Sequence, residues 1–365
     1  MVKVFTIGSA TMDVFVESDE ANIVSVNSLN RKCEYMSYPY GSKIDMTNFS
    51  TNLGGGGVNT ASNFAKLGYD TSAIFKIGDD IYSTGIIDHL KKANVKLDSI
   101  IEDKSLSTGF SVILVSFQGD RTVLTNRGAN ACIELEDIDF EALKNADWLY
   151  VAPLNGKSNE VLEPLVKFAH ENNIIVAFNA GTTSLKQGFE KIKPILKTSN
   201  FVVMNLEEAS MCTGVQVRPD TKTEHYSHEV IHPDVVTMLK KLRVYDYQVI
   251  VITDGKRGAY AYDGTKIYMC PVFPSNVVST LGAGDAFAST FFASLQRTNK
   301  DIGRALMYGS VQSASVVSKF SATEGLITFE EIESRLKDNP NYTYLEIYNS
   351  ETQSFSDEVL LKDAN

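Results

Sequence analysis

The sequence predicts an α/β fold: a doubly wound, mostly parallel central sheet with helices on both faces and a small β element beside it. Three observations predict this. From Asp147 onward, short apolar runs alternate with helical stretches, the order that builds parallel strands through crossover helices. Residues 108–115 and 121–125 are rich in β-forming side chains around Gln118-Gly-Asp120, a hairpin signal outside that alternation. Finally, Gly282, Ala283 and Gly284 lead straight into the apolar run 286–295. There Phe287, Phe291, Phe292 and Leu295 share one helical face.

Taken in order, residues 4–7 read as a buried strand followed by Gly8-Ser-Ala-Thr-Met-Asp13. An Asp after the first strand of such a sheet either lies at the ligand crevice or serves the turn. Residues 17–52 are polar and lack clear periodicity, which suits a functional lid or an insertion; Tyr38, Tyr40 and Lys43 are its candidates for shaping a pocket. The glycines 54–57 and Asn59 precede a helical stretch, 62–67, that stops at Gly68. A glycine run alone marks only a flexible turn. Residues 71–80 read as a strand with a Gly-Asp turn, followed by a helix ending near Asn94.

Further strands are predicted at 148–152, 174–178, 201–204 and 249–253, with helices at 160–171, 189–197 and 303–319. Asn205 and Glu208 stand three apart where a strand gives way to a helix, the spacing of a helix cap. Residues 215–234 read as an insertion. In it His225, His228 and His232 have helical spacing, yet its polar character, Pro219, Pro233 and the lack of a supporting carboxylate pattern favour an exposed loop over a metal site. Thr253-Asp-Gly-Lys-Arg-Gly258 reads as a glycine hairpin. Beyond about residue 337 the chain is polar and carries no motif.

The chemistry concentrates at residues 282–285. Glycines at a helix N-terminus leave N–H groups and the helix dipole facing outward, which makes an anion site. Asp285 falls in the first turn of the same helix. A carboxylate beside an anion site is a costly placement unless it works, for example by taking the proton from a hydroxyl that attacks a phosphoryl group. The alternative is an Asp that merely stabilises the helix start.

Composition sets the bounds. The 365 residues suffice for one large domain or two ordinary ones, and 43% hydrophobic with 22% charged residues is ordinary for a soluble globular protein. A net charge of −11 argues against nucleic acid or an anionic membrane as the main partner. Cys33, Cys132, Cys212 and Cys270 are scattered, without metal or redox spacing. With no signal-peptide architecture and no apolar run of transmembrane length, the expectation is a cytoplasmic protein with reduced thiols.

Ser279-Thr-Leu-Gly-Ala-Gly-Asp285 resembles the C-terminal signature of the ribokinase-like (PfkB) kinases of sugars and nucleosides. Five motifs in the right order extend the resemblance over about residues 2–335. It implies Asp285 as general base, with Gly282, Ala283 and Gly284 holding the transferring phosphate. It implies Asp13, Gly55, Gly56 and Asn59 as binders of the acceptor hydroxyls, the glycine run permitting two registers. Asn205 and Glu208 match the family's Asn-x-x-Glu motif and would order magnesium through water. Thr253, Gly255, Gly258 and Gly325 would flank the nucleotide. The implied cofactors are ATP and Mg2+. The implied organisation is a kinase domain over 1–335, with lid segments at about 14–52 and 106–127, a polar extension at 336–365, and a homodimer formed through the lid. The expected acceptor is the hydroxymethyl group of a sugar, as in ribokinases and fructokinases. A nucleoside is the alternative, and a non-catalytic sugar or nucleotide sensor is the reading from another class; intact Asp285, Asn205 and Glu208 weigh against the sensor. A phosphosugar would need extra cations, for which Lys43, Arg121 and Arg127 are available. At Ser279 the family usually has Asp and uses it toward a monovalent cation, so little potassium dependence is expected.

Overall fold

The structure, a computed structural model, describes residues 1–28, 31–116, 121–217, 231–246, 248–348 and 361–363. Among these residues the main sheet has ten strands. Six are parallel and lie in the order Asp70–Ile74, Lys3–Ile7, Trp148–Val151, Ile175–Asn179, Phe201–Asn205 and Val249–Thr253. Ala259–Tyr262, Lys266–Cys270, Leu345–Tyr348 and Leu361–Asp363 continue the sheet antiparallel. The chain starts on Lys3–Ile7, which has Asp70–Ile74 on one side and Trp148–Val151 on the other. The winding therefore reverses at this strand, and the crevice beyond its C-terminal end is where open α/β sheets bind ligands.

Alternate side chains of the central strands enter two separate cores. Phe5, Ile7, Leu149, Val151, Val176 and Phe178 pack against the helices Leu162–Glu171, Phe189–Thr198 and Pro233–Leu242. Val4, Trp148, Tyr150, Ala177, Val203 and Val251 pack against Gly56–Lys66, Ala283–Arg297, Ile302–Val317 and Phe329–Asp338. Burial of both faces explains why these strands read as unbroken apolar runs.

One buried polar network ties the second layer together. Asn63 donates from Nδ2 to Ser289 Oγ and Thr290 Oγ1, both at 2.7 Å, and its Oδ1 accepts from Gln312 Nε2 at 2.6 Å. Gln312 also exchanges hydrogen bonds with the Ile327 backbone. Every partner is buried, so deleting one strands the others in a dry core. Gln312→Leu is expected to lower stability by about 2 to 3 kcal/mol in urea unfolding, with the slope against urea unchanged. A loss below about 0.5 kcal/mol would show the network to be dispensable.

A second sheet, in the order Arg121–Asn126, Gly109–Val115, Thr11–Glu17 and Asn48–Gly54, stands beside the first. Register puts Asp13, Ser111, Thr125 and Asn52 on one row. On the other face Phe110 meets Tyr82 at 5.0 Å between ring centroids, and Met12 and Leu53 lie against Gly85 of the helix Ile81–Lys92. Part of one face is thus docked on a helix, and the opposite face carries Asp13, Ser111 and Thr125 beside the apolar Ile113 and Val123.

The structure corrects three expectations. Residues 17–52 are not irregular throughout: Asn22–Ser28 pairs with Arg31–Ser37, and Asn48–Gly54 joins the second sheet. The two-stranded arm leaves Val24, Val26 and Tyr35 exposed, so no buried face imposed an apolar alternation. His232 is not on an exposed loop; it is buried and its Nδ1 accepts the Asp234 N–H at 3.1 Å, capping Pro233–Leu242. His225, His228 and the turn Gln118-Gly-Asp120 lie outside the described residues. The boundary at 335 falls inside the helix Phe329–Asp338, and Leu345–Tyr348 then extends the main sheet with Ile347 buried.

Candidate active site

Two clefts open on either side of the start of the helix Ala283–Arg297, and the second sheet lines only the smaller. The wider, about 460 Å³, is lined by Thr253, Gly255, Lys256 and Gly258 on one side and by Val272, Phe273, Ala314 and Val317 on the other. The second, about 210 Å³, is lined by Ser9, Asp13, Gly55, Ser111, Arg121 and Arg127 among others. A single turn divides them: Thr280, Ala283 and Gly284 line the first, while Leu281 lines the second.

That turn starts the helix Ala283–Arg297. Its N-cap, Gly282, has φ 72°, and a Cβ there would stand 2.4 Å from the Ala322 Cβ, so both conformation and space call for glycine. No side chain caps the helix. Its first-turn N–H groups consequently face the junction of the clefts, although Ala283 N–H reaches back to Thr280 O at 3.4 Å. The helix Gly56–Lys66 also begins here and behaves differently. Ser9 takes up its amides: Ser9 O accepts from Gly57 at 2.9 Å and Val58 at 3.4 Å, and Ser9 Oγ from Gly56 at 3.2 Å. Of the two helix starts, the later one is left open to an anion.

Asp285 lies between these helix starts. Its Oδ2 accepts from Asn59 Nδ2 at 2.8 Å, and a Cβ on Gly56 would be 3.7 Å from its Oδ1. Burial pushes the Asp285 carboxyl above the usual carboxylate range, against the opposing pull of the Asn59 bond. Asn59 is itself buried, and its Oδ1 has no partner among the described residues. Such an orphaned acceptor suits a ligand hydroxyl.

Asp13 is 6% exposed; burial raises its carboxyl, while Ser111 and Thr11 hydroxyls hold the ionised form. A methyl on Gly54 would lie 2.2 Å from Asp13 Oδ2, so that glycine makes room for the carboxylate. Asn205 stands in register with Thr253 at the C-terminal edge of the sheet. It forms a capping box with Glu208, each accepting the other's backbone N–H at 2.9 Å. Burial raises the Glu208 carboxyl, the Asn205 N–H opposes this, and the charges of Glu207 and Asp285 add to the rise.

The structure thus brings Asp285, Gly282, Ala283, Gly284, Gly56 and Asn59 together, with Asp13 and Gly55 lining one cleft and Thr253, Gly255 and Gly258 the other. Gly325 is placed elsewhere. It is packed on the helix Ile302–Val317, where a Cβ would come within 2.6 Å of Ser315 O, and the cleft wall is made by Ala314 and Val317 instead. Tyr38, Tyr40 and Lys43 line neither cleft, and Tyr40 is fully exposed. Sequence reading missed Ser9, Ser111 and Asn130. Asn130 clamps both backbone groups of Ala10, accepting its N–H at 2.8 Å and donating to its carbonyl at 2.7 Å. Ser111 was discernible as the polar position opposite Asp13, once the two strands are paired in register.

A doubly wound sheet with a carboxylate at an uncapped helix start, on the turn that divides two clefts, is an arrangement suited to phosphoryl transfer to a small alcohol. Residues 20–328 match the profile of the pfkB family carbohydrate kinases, and the chain belongs to that family. It is 27% identical over 344 residues to the ribokinase of Bacillus subtilis (strain 168), covering 92% of this chain and all of that protein. It is also 27% identical over 292 residues to the 5-dehydro-2-deoxygluconokinase of Geobacillus thermodenitrificans, covering 78% of this chain and 84% of the relative. Among solved structures, Arabidopsis thaliana ribokinase complexed with ribose and ATP superposes with a TM-score of 0.73 at 21% identity, over 92% of this chain and 99% of that one. The nucleoside kinase of Methanocaldococcus jannaschii gives 0.71 at 18%, over 93% and 99%. The protein is an ATP-dependent phosphotransferase with a sugar alcohol group as acceptor. No helix among the described residues is long and apolar enough to cross a membrane.

Proposed function

We propose that the protein moves the γ-phosphoryl group of ATP to the hydroxymethyl group of a sugar held in the smaller cleft. The observation that carries this reading is Asp285, an enclosed carboxylate at the uncapped helix start between the clefts. Asp285 takes the proton of the acceptor hydroxyl as its oxygen bonds to phosphorus and the bond to the β–γ bridging oxygen breaks, releasing ADP. The Gly282, Ala283 and Gly284 amides face the charge on the moving phosphoryl group. Asp13, Asn59, Gly55 and Gly56 orient the acceptor, and Thr253, Gly255 and Gly258 flank the nucleotide.

Glu208 and Asn205 suit magnesium held through water. Their capping box fixes them, Glu208 Oε1 accepts no hydrogen bond among the described residues, and a half-buried carboxyl near Asp285 has charge for a dication to offset. Magnesium, when bound, offsets phosphate charge. The kinase domain starts at residue 1 and runs past 335 to include Leu345–Tyr348, with the second sheet and the two-stranded arm as its lid. Exposed Val24, Val26 and Tyr35 on the arm are the surface that a homodimer through the lid would cover. The reading requires a cytoplasmic setting with ATP and no nucleic-acid or membrane partner.

An ADP-release screen over sugars and nucleosides tests it. Turnover of a sugar is the expected result; turnover of nucleosides alone would replace the acceptor in this reading.

Potassium gives a separate test. Ser279 supplies no carboxylate for a cation, and the loop is already tied down: Val278 N–H and Ser279 N–H both donate to Val317 O, at 2.7 and 3.1 Å, and Ser279 Oγ accepts from Leu281 N–H at 3.3 Å. Replacing potassium by a bulky organic cation at matched ionic strength is expected to change kcat/KM by less than about threefold. Strong activation by potassium would mean that backbone carbonyls hold the ion unaided.

A further inference from the structure

We infer that the acceptor carries an anionic group, a carboxylate or a phosphate, and that Arg121 and Arg127 bind it; this deepens the sugar-kinase reading and rests on it. Both arginines line the acceptor cleft together with Asp13. Their placement follows from the strand. Arg121, Val123 and Thr125 are paired with Val115, Ile113 and Ser111, so they share the face that carries Asp13, and Arg127 comes two residues after Thr125. The positions facing the other way, Thr122, Leu124 and Asn126, carry no charge. Positive charge on this strand is therefore confined to the cleft side.

Arg121–Asn126 is the edge of its sheet, and edge strands often carry solvated charges that deter pairing with other chains. That role makes no demand on which face the charges take. It also does not reach Arg127, which follows the strand's last residue. Pairing discriminates further. Both arginines are exposed, and neither side chain has an ion pair or hydrogen-bond partner among the described residues, in a chain with 45 acidic and 34 basic residues. Several other cations here are matched, among them Lys76 with Asp103 and Asp137, Arg257 with Asp254, and Arg297 with Glu330 and Glu333. A neutral sugar is served by the Asp13 carboxylate and the Ser111 and Thr125 hydroxyls in the same cleft. Two guanidinium forks beside them match the planar oxygens of a carboxylate or phosphate. Arg121 lies four residue steps, about 13 Å, along the strand from Thr125 and Arg127 two residues beyond it, so their long side chains flank the hydroxyl-binding row from both ends.

The test compares kcat/KM for two neutral acceptors, ribose and fructose, with 2-keto-3-deoxygluconate as a carboxylate and fructose 6-phosphate as a phosphate. At least one anionic acceptor is expected to exceed both neutral ones tenfold or more, and which one does so identifies the group. In R121Q/R127Q the anionic-to-neutral ratio is expected to fall at least tenfold. Arg121→Lys should retain part of it, and raising the ionic strength should shrink it in the parent protein. Neutral acceptors turned over as well as anionic ones would overturn this inference and leave the kinase reading standing. A preference that survives in the double variant would overturn the assignment to these arginines. Failure of every acceptor while ATP still binds would overturn the kinase reading and this inference with it.

Discussion

Asp285→Asn is expected to lower kcat by about a hundredfold or more while ATP affinity hardly changes. The substitution keeps the size of the side chain and an oxygen for the Asn59 Nδ2 hydrogen bond, so the loss reports the missing base rather than a disturbed site. Its effect on stability has the opposite sign. Burial raises the Asp285 carboxyl, so the native protein holds that proton more tightly than the unfolded chain does. Stability from this group is fully present below the unfolded-state pKa and is lost as pH rises through the folded one. At neutral pH the ionised carboxylate burdens the fold, so Asp285→Asn should melt no lower than the parent at pH 7, and any advantage should vanish toward acid pH. The rate depends on the ionised form, so kcat/KM of the parent should decline as pH falls through a value above the usual carboxylate range. Steady-state rates with melting curves across pH check all three. Near-native turnover by the variant on its best acceptor would remove Asp285 from the chemistry.

Much of this fold was legible because both faces of its central strands are buried. Runs such as Trp148–Val151 and Phe201–Asn205 need no partner to be recognised, and alternation with helices fixes their parallel sense. The junction at Gly282 to Asp285 was legible for a local reason: glycine spacing and the first turn of a helix are properties of adjacent residues. What escaped depends on residues distant in sequence. Asn48–Gly54 is polar and reads as a loop, yet it is a strand because Thr11–Glu17 lies beside it. Asn130 and Ser9 act on backbone groups across turns, and nothing local marks them. Gly325 shows another limit: its small size serves packing on Ser315 and Val316, while the wider cleft is lined by neighbouring residues of that helix. Leu345–Tyr348 could not be read because a strand of four residues between Lys266–Cys270 and Leu361–Asp363 has one buried residue, Ile347, to announce it.

Asp13→Ala is expected to weaken acceptor binding by about 2 to 4 kcal/mol, roughly 30- to 1000-fold in Kd, through the loss of two charge-assisted hydrogen bonds in a buried setting. In the proposed reading the carboxylate accepts hydrogen bonds from ligand hydroxyls. Asp13 is buried, the hydroxyls of Ser111 and Thr11 hold it ionised, and Gly54 gives one oxygen room by lacking a side chain. Gly54→Ala should act in the same direction with less force, because a methyl 2.2 Å from Oδ2 must push the carboxylate aside without removing it. ATP affinity should stay within about twofold in both variants, since neither residue lines the wider cleft. The pH dependence also has a definite sign. Burial raises the Asp13 carboxyl, so acceptor affinity should fall as pH drops through a value above the usual Asp range, while ATP affinity should not follow it. Calorimetric titration of each ligand into parent and variants separates the two sites. A fall in ATP affinity with acceptor binding intact would mean that the donor and acceptor clefts have been assigned the wrong way round.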